Sequence, residues 1–249
     1  MRSHDQAVQD QFDSRAHSYL NSAVHAHGPD LAFAKGVGSG QAALDVGCGA
    51  GHLSFALATS FKRVVALDPS PGMREVVAQT ARVRGLPQVE TREGGAESLP
   101  FEDCAFDLAG TRFSAHHWRN LEAGLREMRR VLRPGGQVLV IDTLGHEDPL
   151  VDTHLQSIEL IRDPSHVRNR SISQWRGLLE TVGFRDVQAR QWPLRLEFAS
   201  WVERMRTPES HVAVIRELQL AAAREVHAAL GLEADGSFSL QVGAFQARQ

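Results

Sequence analysis

The chain has 249 residues, 42% of them hydrophobic, and a formal net charge of −3: enough apolar material for a sizeable core, and no overall field to hold nucleic acid. No run of about 18 apolar residues occurs, and the polar start Met1-Arg2-Ser3-His4-Asp5 has no hydrophobic stretch behind it, so a cytoplasmic protein without a membrane span or secretion signal is expected. Two cysteines, Cys48 and Cys104, are too few for a disulfide framework, and no Cys/His spacing suits zinc, so no metal is expected.

In chain order, the first 37 residues are expected to be helical. Residues 42–46 are short and apolar, as a buried strand requires, and His52-Leu53-Ser54-Phe55-Ala56-Leu57-Ala58 has helical spacing. A second β-rich run over 63–67 ends at Asp68, 21 residues after Gly47. Ser70 and Pro71 then supply an N-cap and a first position for a helix over about 73–84. Strands follow near 88–92, 106–111 and 137–142, the last announced by the stop signal Arg133-Pro134-Gly135-Gly136. Arg126, Arg129, Arg130 and Arg133 share one helix face and read as a solvated stripe paired with Glu122 and Glu127. Runs at 185–192 and 238–247 bring the strands to seven, and between them 208–230 reads as one long helix.

This alternation predicts an α/β protein with a doubly wound, seven-stranded, mostly parallel Rossmann-like sheet. It divides one domain into a helical cap (1–37), a core (38–197), a helical insertion (198–230) and a final strand (231–249). Helices near 1–37, 150–162 and 198–230 are placed to roof the crevice at the carboxyl ends of the strands; the last of these could equally form a homodimer surface.

Gly47, Gly49 and Gly51 sit at the first strand-to-helix turn. Without Cβ atoms they tolerate positive φ and let a ligand approach the backbone, while the free N–H groups of the next helix favour electron-rich ligand groups. Asp68 falls where such folds hold a ribose and could accept from two hydroxyls. Dinucleotide sites favour G-x-G-x-x-G, whereas this chain carries D-x-G-x-G-x-G from Asp45 onward.

That run, Asp45-Val46-Gly47-Cys48-Gly49-Ala50-Gly51, resembles the first motif of class I S-adenosylmethionine-dependent methyltransferases. Glu97-Ser98-Leu99-Pro100-Phe101, Ala105-Phe106-Asp107-Leu108 and Val131-Leu132-Arg133-Pro134-Gly135-Gly136 resemble later motifs of the branch typified by ubiquinone and menaquinone biosynthesis methyltransferases. The matched order covers roughly residues 39–145. The resemblance implies S-adenosyl-L-methionine as cofactor, S-adenosyl-L-homocysteine as product, and a final strand antiparallel to the others. It implies a cofactor set of Tyr19, Asp45, Gly47, Cys48, Gly49, Gly51, Asp68, Pro69, Met73, Gly95, Ala96, Glu97 and Arg112. In that set Asp45 organises the amino end of the methionine moiety or simply caps the loop, Met73 lies beside the adenine or in the core, and Tyr19 closes over the sulfonium or packs. One position departs from the pattern. Where an aspartate accepts from the adenine amino group, this chain has Gly95 in Gly94-Gly95-Ala96-Glu97, leaving recognition to the Ala96 backbone and Glu97.

Methyl transfer from a sulfonium is an in-line displacement, so alignment and removal of an acceptor proton are the main tasks. The stretch Thr111-Arg112-Phe113-Ser114-Ala115-His116-His117-Trp118 follows the fourth strand, which makes His116, and after it His117, candidate general bases; the alternative is a role in a turn or wall. The stretch lacks the Asn/Asp-Pro-Pro-aromatic sequence of amino-group methyltransferases, and neither cysteine follows a proline as cytosine C5 chemistry needs. The expected function is methyl transfer to carbon or oxygen of a small-molecule acceptor. Two others stay open: a non-catalytic S-adenosylmethionine-binding protein, which Gly95 favours, and an NAD(P)-dependent oxidoreductase, which the glycine spacing opposes.

Overall fold

The computed structural model describes residues 3–13, 20 and 28–249. After helices α1 (His4–Asp13) and α2 (Pro29–Lys35), the chain alternates β1 (Gly40–Val46), α3 (His52–Leu57), β2 (Phe61–Leu67), α4 (Pro71–Val83), β3 (Val89–Arg92) and β4 (Phe106–Arg112). A 3-10 turn (Ala115–His117), α5 (Leu121–Val131), β5 (Leu132–Thr143), α6 (Pro149–Arg162), α7 (Ile172–Thr181) and β6 (Arg185–Leu196) follow. The chain ends with α8 (Phe198–Arg204), α9 (Glu209–Leu220), α10 (Arg224–Leu230) and β7 (Phe238–Arg248).

One seven-stranded sheet has the order β3-β2-β1-β4-β5-β7-β6. The first five strands pair in parallel, and β7 is antiparallel to both β5 and β6. The last five residues of β1 are all buried, as a strand covered on both faces must be. Leu53, Phe55, Val77 and Ala81 from α3 and α4 pack against one face of the sheet, and Leu125, Met128, Trp175 and Leu179 from α5 and α7 against the other. Ser70 caps α4 by accepting from the Met73 N–H at 3.1 Å, with Pro71 in the first turn.

Two expectations are corrected. Extended backbone begins at Leu132, not Gln137: pairing passes from Phe106↔Leu132 to Leu108↔Gln137, so residues 133–136 bulge out of register, with Gly135 at φ +76°. The segment 208–230 is two helices, not one. The chain turns at 221–223, allowing Ile215 of α9 and Val226 and Leu230 of α10 to reach a common core with Val151, Leu155 and Ile158 of α6 and Phe238 and Leu240 of β7. The expected arginine stripe is met only in part: Arg126 pairs with Glu122, and Arg130 with Glu127 at 2.8 Å, but Arg129 donates to the Gly183 carbonyl at 3.3 Å, and Arg133 is not on the helix, which ends at Val131, but in β5. Arg130 and Arg133 also reach Asp103 and Asp107, which spacing on the helix does not reveal.

Because Ile215 is fully buried in that core, α9 is a structural part of the protein. Ile215→Ala should lower unfolding stability by about 2–5 kcal/mol in a denaturant titration. An unchanged midpoint would show that α9 is a loosely attached flap.

Candidate functional site

The glycine loop leaves β1 at Gly47, where φ is +67° and an added Cβ would lie 2.0 Å from the Ser114 Oγ; no side chain fits there. The N–H groups of Gly47 and Cys48 both donate to the Leu67 carbonyl, at 2.8 and 2.9 Å. Gly49 faces open space, and its N–H donates to Asp68 Oδ2 at 2.9 Å; Asp68 Oδ1 accepts from the Ser70 N–H at 2.9 Å. Asp68 thus ties the glycine loop to the start of α4. Burial pushes its pKa up to about 6, against the opposing effect of these amides.

A cavity of about 590 Å³ opens at this edge of the sheet. Of the expected cofactor residues, Gly47, Cys48, Gly49, Asp68, Pro69, Met73, Gly95, Ala96, Glu97 and Arg112 line it. Gly51 does not: at φ +85° it faces the core, where a Cβ would meet Val77 Cγ2 at 2.9 Å and Phe55 Cζ at 3.0 Å. Asp45 is buried behind the loop, with Oδ2 accepting from Ser54 Oγ at 2.6 Å and Oδ1 without a hydrogen-bond partner among the described residues. Burial pushes its pKa up to about 7. Met73 is both a lining residue and a core residue, packed with Ala50 and Val76. Glu97 is engaged at its Oε1 by the Asn120 N–H at 2.7 Å. The Cys48 thiol is held protonated, its pKa raised by burial. Tyr19 lies outside the described residues.

Helix α1 crosses the cavity, contributing His4, Val8, Gln9 and Phe12 to its lining. Asp13 Oδ1 accepts from Ser70 Oγ at 2.8 Å and from the Gly72 N–H at 2.7 Å, so the end of α1 is tied to the positive start of α4. Arg112 is held from the other side, its Nε donating to Asp30 Oδ2 at 2.6 Å in a buried ion pair that joins α2 to the end of β4.

His116 and His117 occupy different surroundings. His116 Nδ1 lies 2.6 Å from Asp142 Oδ1, and the His116 N–H donates to Asp142 Oδ2 at 3.0 Å. A carboxylate only accepts, so Nδ1 carries the proton and Nε2 is the basic nitrogen. Burial pulls the His116 pKa down, but the charge and hydrogen bond of Asp142 outweigh it and hold it above 6.5. His117, whose ring centroid is 4.1 Å away, is anchored to the Ser165 carbonyl at 3.0 Å and lowered by burial and by the charge of His116. His166 completes the group, its pKa pushed down to about 3 by burial and then by the other two histidines. His116 lines a second, smaller cavity of about 80 Å³, beside Thr143, Asn169, Leu194, Trp201 and Met205. His117, Phe12 and Phe113 line both cavities, so the two meet at these side chains. Residues from α6 and α8 border the smaller cavity, while none from α9 or α10 borders either.

Asp13, Asp30, Asp142 and Asn169 were not among the residues singled out from sequence. Asp142 had a signal, since it closes a β-run as Asp68 does; the other three act across distances of 26 to 82 residues that no local pattern records.

A seven-stranded sheet with this order and a glycine-loop cavity at its carboxyl edge defines a nucleotide-cofactor α/β protein. A family model described as a methyltransferase domain matches residues 44–140. The chain is 44% identical over 192 residues to the uncharacterized protein YafE of Escherichia coli, covering 77% of this chain and 93% of that one. It is 34% identical over 202 residues to the uncharacterized methyltransferase YcgJ of Bacillus subtilis, covering 79% of each. The crystal structure of YcgJ superposes with a TM-score of 0.84 at 31% identity, over 90% of this chain and 99% of that one. A demethylmenaquinone methyltransferase of Clavibacter sepedonicus is 32% identical over 170 residues, 66% of this chain and 64% of the relative. The chain belongs to the class I S-adenosylmethionine-dependent methyltransferases, and the nicotinamide alternative is set aside.

The residues present fit that cofactor. The cavity offers a carboxylate, Asp68, for a ribose diol; Asp45 keeps an unpartnered carboxylate oxygen for an ammonium group; and Gly49 leaves the loop open to a ligand. Asp68→Ala is expected to weaken S-adenosylhomocysteine binding by about 1.5–3 kcal/mol in a calorimetric titration, and unchanged affinity would remove Asp68 from the binding set. Gly95 has nothing within 4 Å of an added Cβ, so an aspartate can be accommodated there. Gly95→Asp should tighten the same binding by about 0.5–1.5 kcal/mol, the worth of one hydrogen bond; weaker binding would mean that the adenine lies elsewhere.

Proposed function

We propose that this methyltransferase transfers the methyl group to oxygen or carbon of a small, neutral acceptor seated in the smaller cavity, with His116 as general base. The bound S-adenosylmethionine supplies an activated methyl group on its sulfonium. The observation that carries the reading is the His116–Asp142 pair: Asp142 fixes the ring through Nδ1, and Nε2, with no hydrogen bond among the described residues, belongs to a side chain that lines this cavity beside His117, which lines both. His117 and His166, both shifted toward the neutral form, keep competing positive charge away from His116. The cofactor residues Asp45, Asp68 and the glycine loop hold and orient the cofactor, and Phe12 of α1 and Phe113, just after β4, line both cavities.

A base must be deprotonated to act, and the His116 pKa is raised above 6.5, so turnover should climb with pH through an apparent pKa above that value. Linkage runs the other way: the stability contributed by the His116–Asp142 pair is fully present below the unfolded-state imidazole pKa and is lost as pH rises through the raised folded one. The test is methyl transfer from radiolabelled S-adenosylmethionine to a series of phenols and enols, as a function of pH. His116→Ala should lower the rate by about 10²–10⁴-fold while S-adenosylhomocysteine binding is retained. Lost cofactor binding in that variant would recast His116 as a cofactor ligand, and absence of turnover on any acceptor would favour the non-catalytic reading.

A further inference from the structure

Asn169 is 1% exposed and borders the smaller cavity, yet its side-chain Nδ2 has no hydrogen-bond partner among the described residues. Everything else about the residue is held. Its Oδ1 accepts from Thr143 Oγ1 at 2.7 Å, its N–H donates to Gln156 Oε1 at 3.1 Å, and its carbonyl accepts from Gln156 Nε2 at 2.8 Å. A buried amide donor without an acceptor costs about 1–3 kcal/mol, a penalty that an acceptor atom placed in the cavity would remove.

Two consecutive residues at the end of β5 hold the two polar heads at this cavity: Asp142 holds His116, and Thr143 holds Asn169. The N–H groups of Val167 and Arg168 also donate to the His116 carbonyl, at 2.9 and 3.1 Å, which locks the segment carrying Asn169 against the histidine. The charged lining residues balance formally, with Arg162 and Arg204 against Glu159 and Asp163, and the Arg162–Glu159 pair is nearly buried. Nothing there favours an ion. At about 10–15 Å³ per water-sized space, 80 Å³ admits a group of about five to eight heavy atoms, one ring.

We propose that Asn169 is the positioning residue that selects the acceptor: its Nδ2 donates to one oxygen of a neutral, single-ring or enol-type substrate while the neighbouring oxygen faces His116 Nε2. The substrate class is therefore a catechol-like or hydroxy-ketone-like group with two adjacent oxygens. This rests on the acceptor site assigned above, but it is tested by binding, not by turnover.

The experiment uses the full chain, with and without saturating S-adenosylhomocysteine, titrated with catechol at up to millimolar concentration by ligand-observed NMR. Saturable catechol binding is expected, weakened at least about tenfold in Asn169→Asp, which keeps the side chain's size and its acceptor for Thr143 but replaces the donor by a repelling oxygen. S-adenosylhomocysteine affinity should be unchanged in that variant. Thr143→Val, which frees the amide head, should weaken catechol by about threefold and serves alone if Asn169→Asp does not fold. Catechol affinity unaffected by the available variant, or no saturable catechol binding, overturns the proposal. Failure of S-adenosylhomocysteine to bind would instead overturn the cofactor assignment, and the catechol titration without it still decides the role of Asn169.

Discussion

Burial of carboxylates along the carboxyl edge of the sheet is the constraint from which the site follows. Asp45, Asp68 and Asp142 are each less than a tenth exposed, and an ionised carboxylate in such surroundings must find donors or take up a proton. Each finds a different solution, and each solution builds part of the site. Asp68 takes two backbone N–H groups and so fixes the glycine loop against α4. Asp142 takes the His116 ring and main chain and so sets the tautomer. Asp45, with one oxygen on Ser54 and the other unpartnered among the described residues, has its pKa raised by burial.

The cavities inherit their separation from this arrangement. The first is made by the loops after β1, β2, β3 and β4 and is lined on one side by α1; the second lies beyond His117, between the end of β5, α6 and α8. A parallel sheet presents all its strand ends on one side, so a cofactor and an acceptor can meet there without any element changing direction. The helices between β6 and β7 contribute differently from one another: α8 reaches the smaller cavity through Trp201, whereas α9 and α10 pack on α6.

Much of the fold was legible because its elements are local. Short β-rich runs marked the strands, those of β1, β2 and β5 closing at a glycine or aspartate, and Ser70-Pro71 marked the start of α4. The exceptions were places where tertiary packing overrode local pattern. Residues 208–230 have unbroken helical spacing, but the chain turns at 221–223 and packs Ile215 and Leu230 from two separate helices onto the core around α6. The bulge at 133–136 was read as a turn because Pro134-Gly135-Gly136 is a turn composition; register with β4 on both sides absorbs it into β5. Gly51 looked like Gly47 and Gly49 in the sequence, and only the proximity of Val77 and Phe55 separates its packing role from theirs.

By itself the sequence determined the sheet, the glycine loop, the two strand-end aspartates nearest it and the presence of two histidines after β4, since all of these depend on residue type and spacing within about twenty-five positions. Tertiary structure alone decided how each histidine is held, because the difference lies in Asp142 for one and the Ser165 carbonyl for the other, contributed by segments 26 and 48 residues away. It also decided that Asn169 borders the smaller cavity: that placement requires the end of β5 and Gln156 of α6 to hold it at once. A hydrogen bond between distant segments leaves no periodicity in a chain, so its partners become visible only when the fold has brought them together.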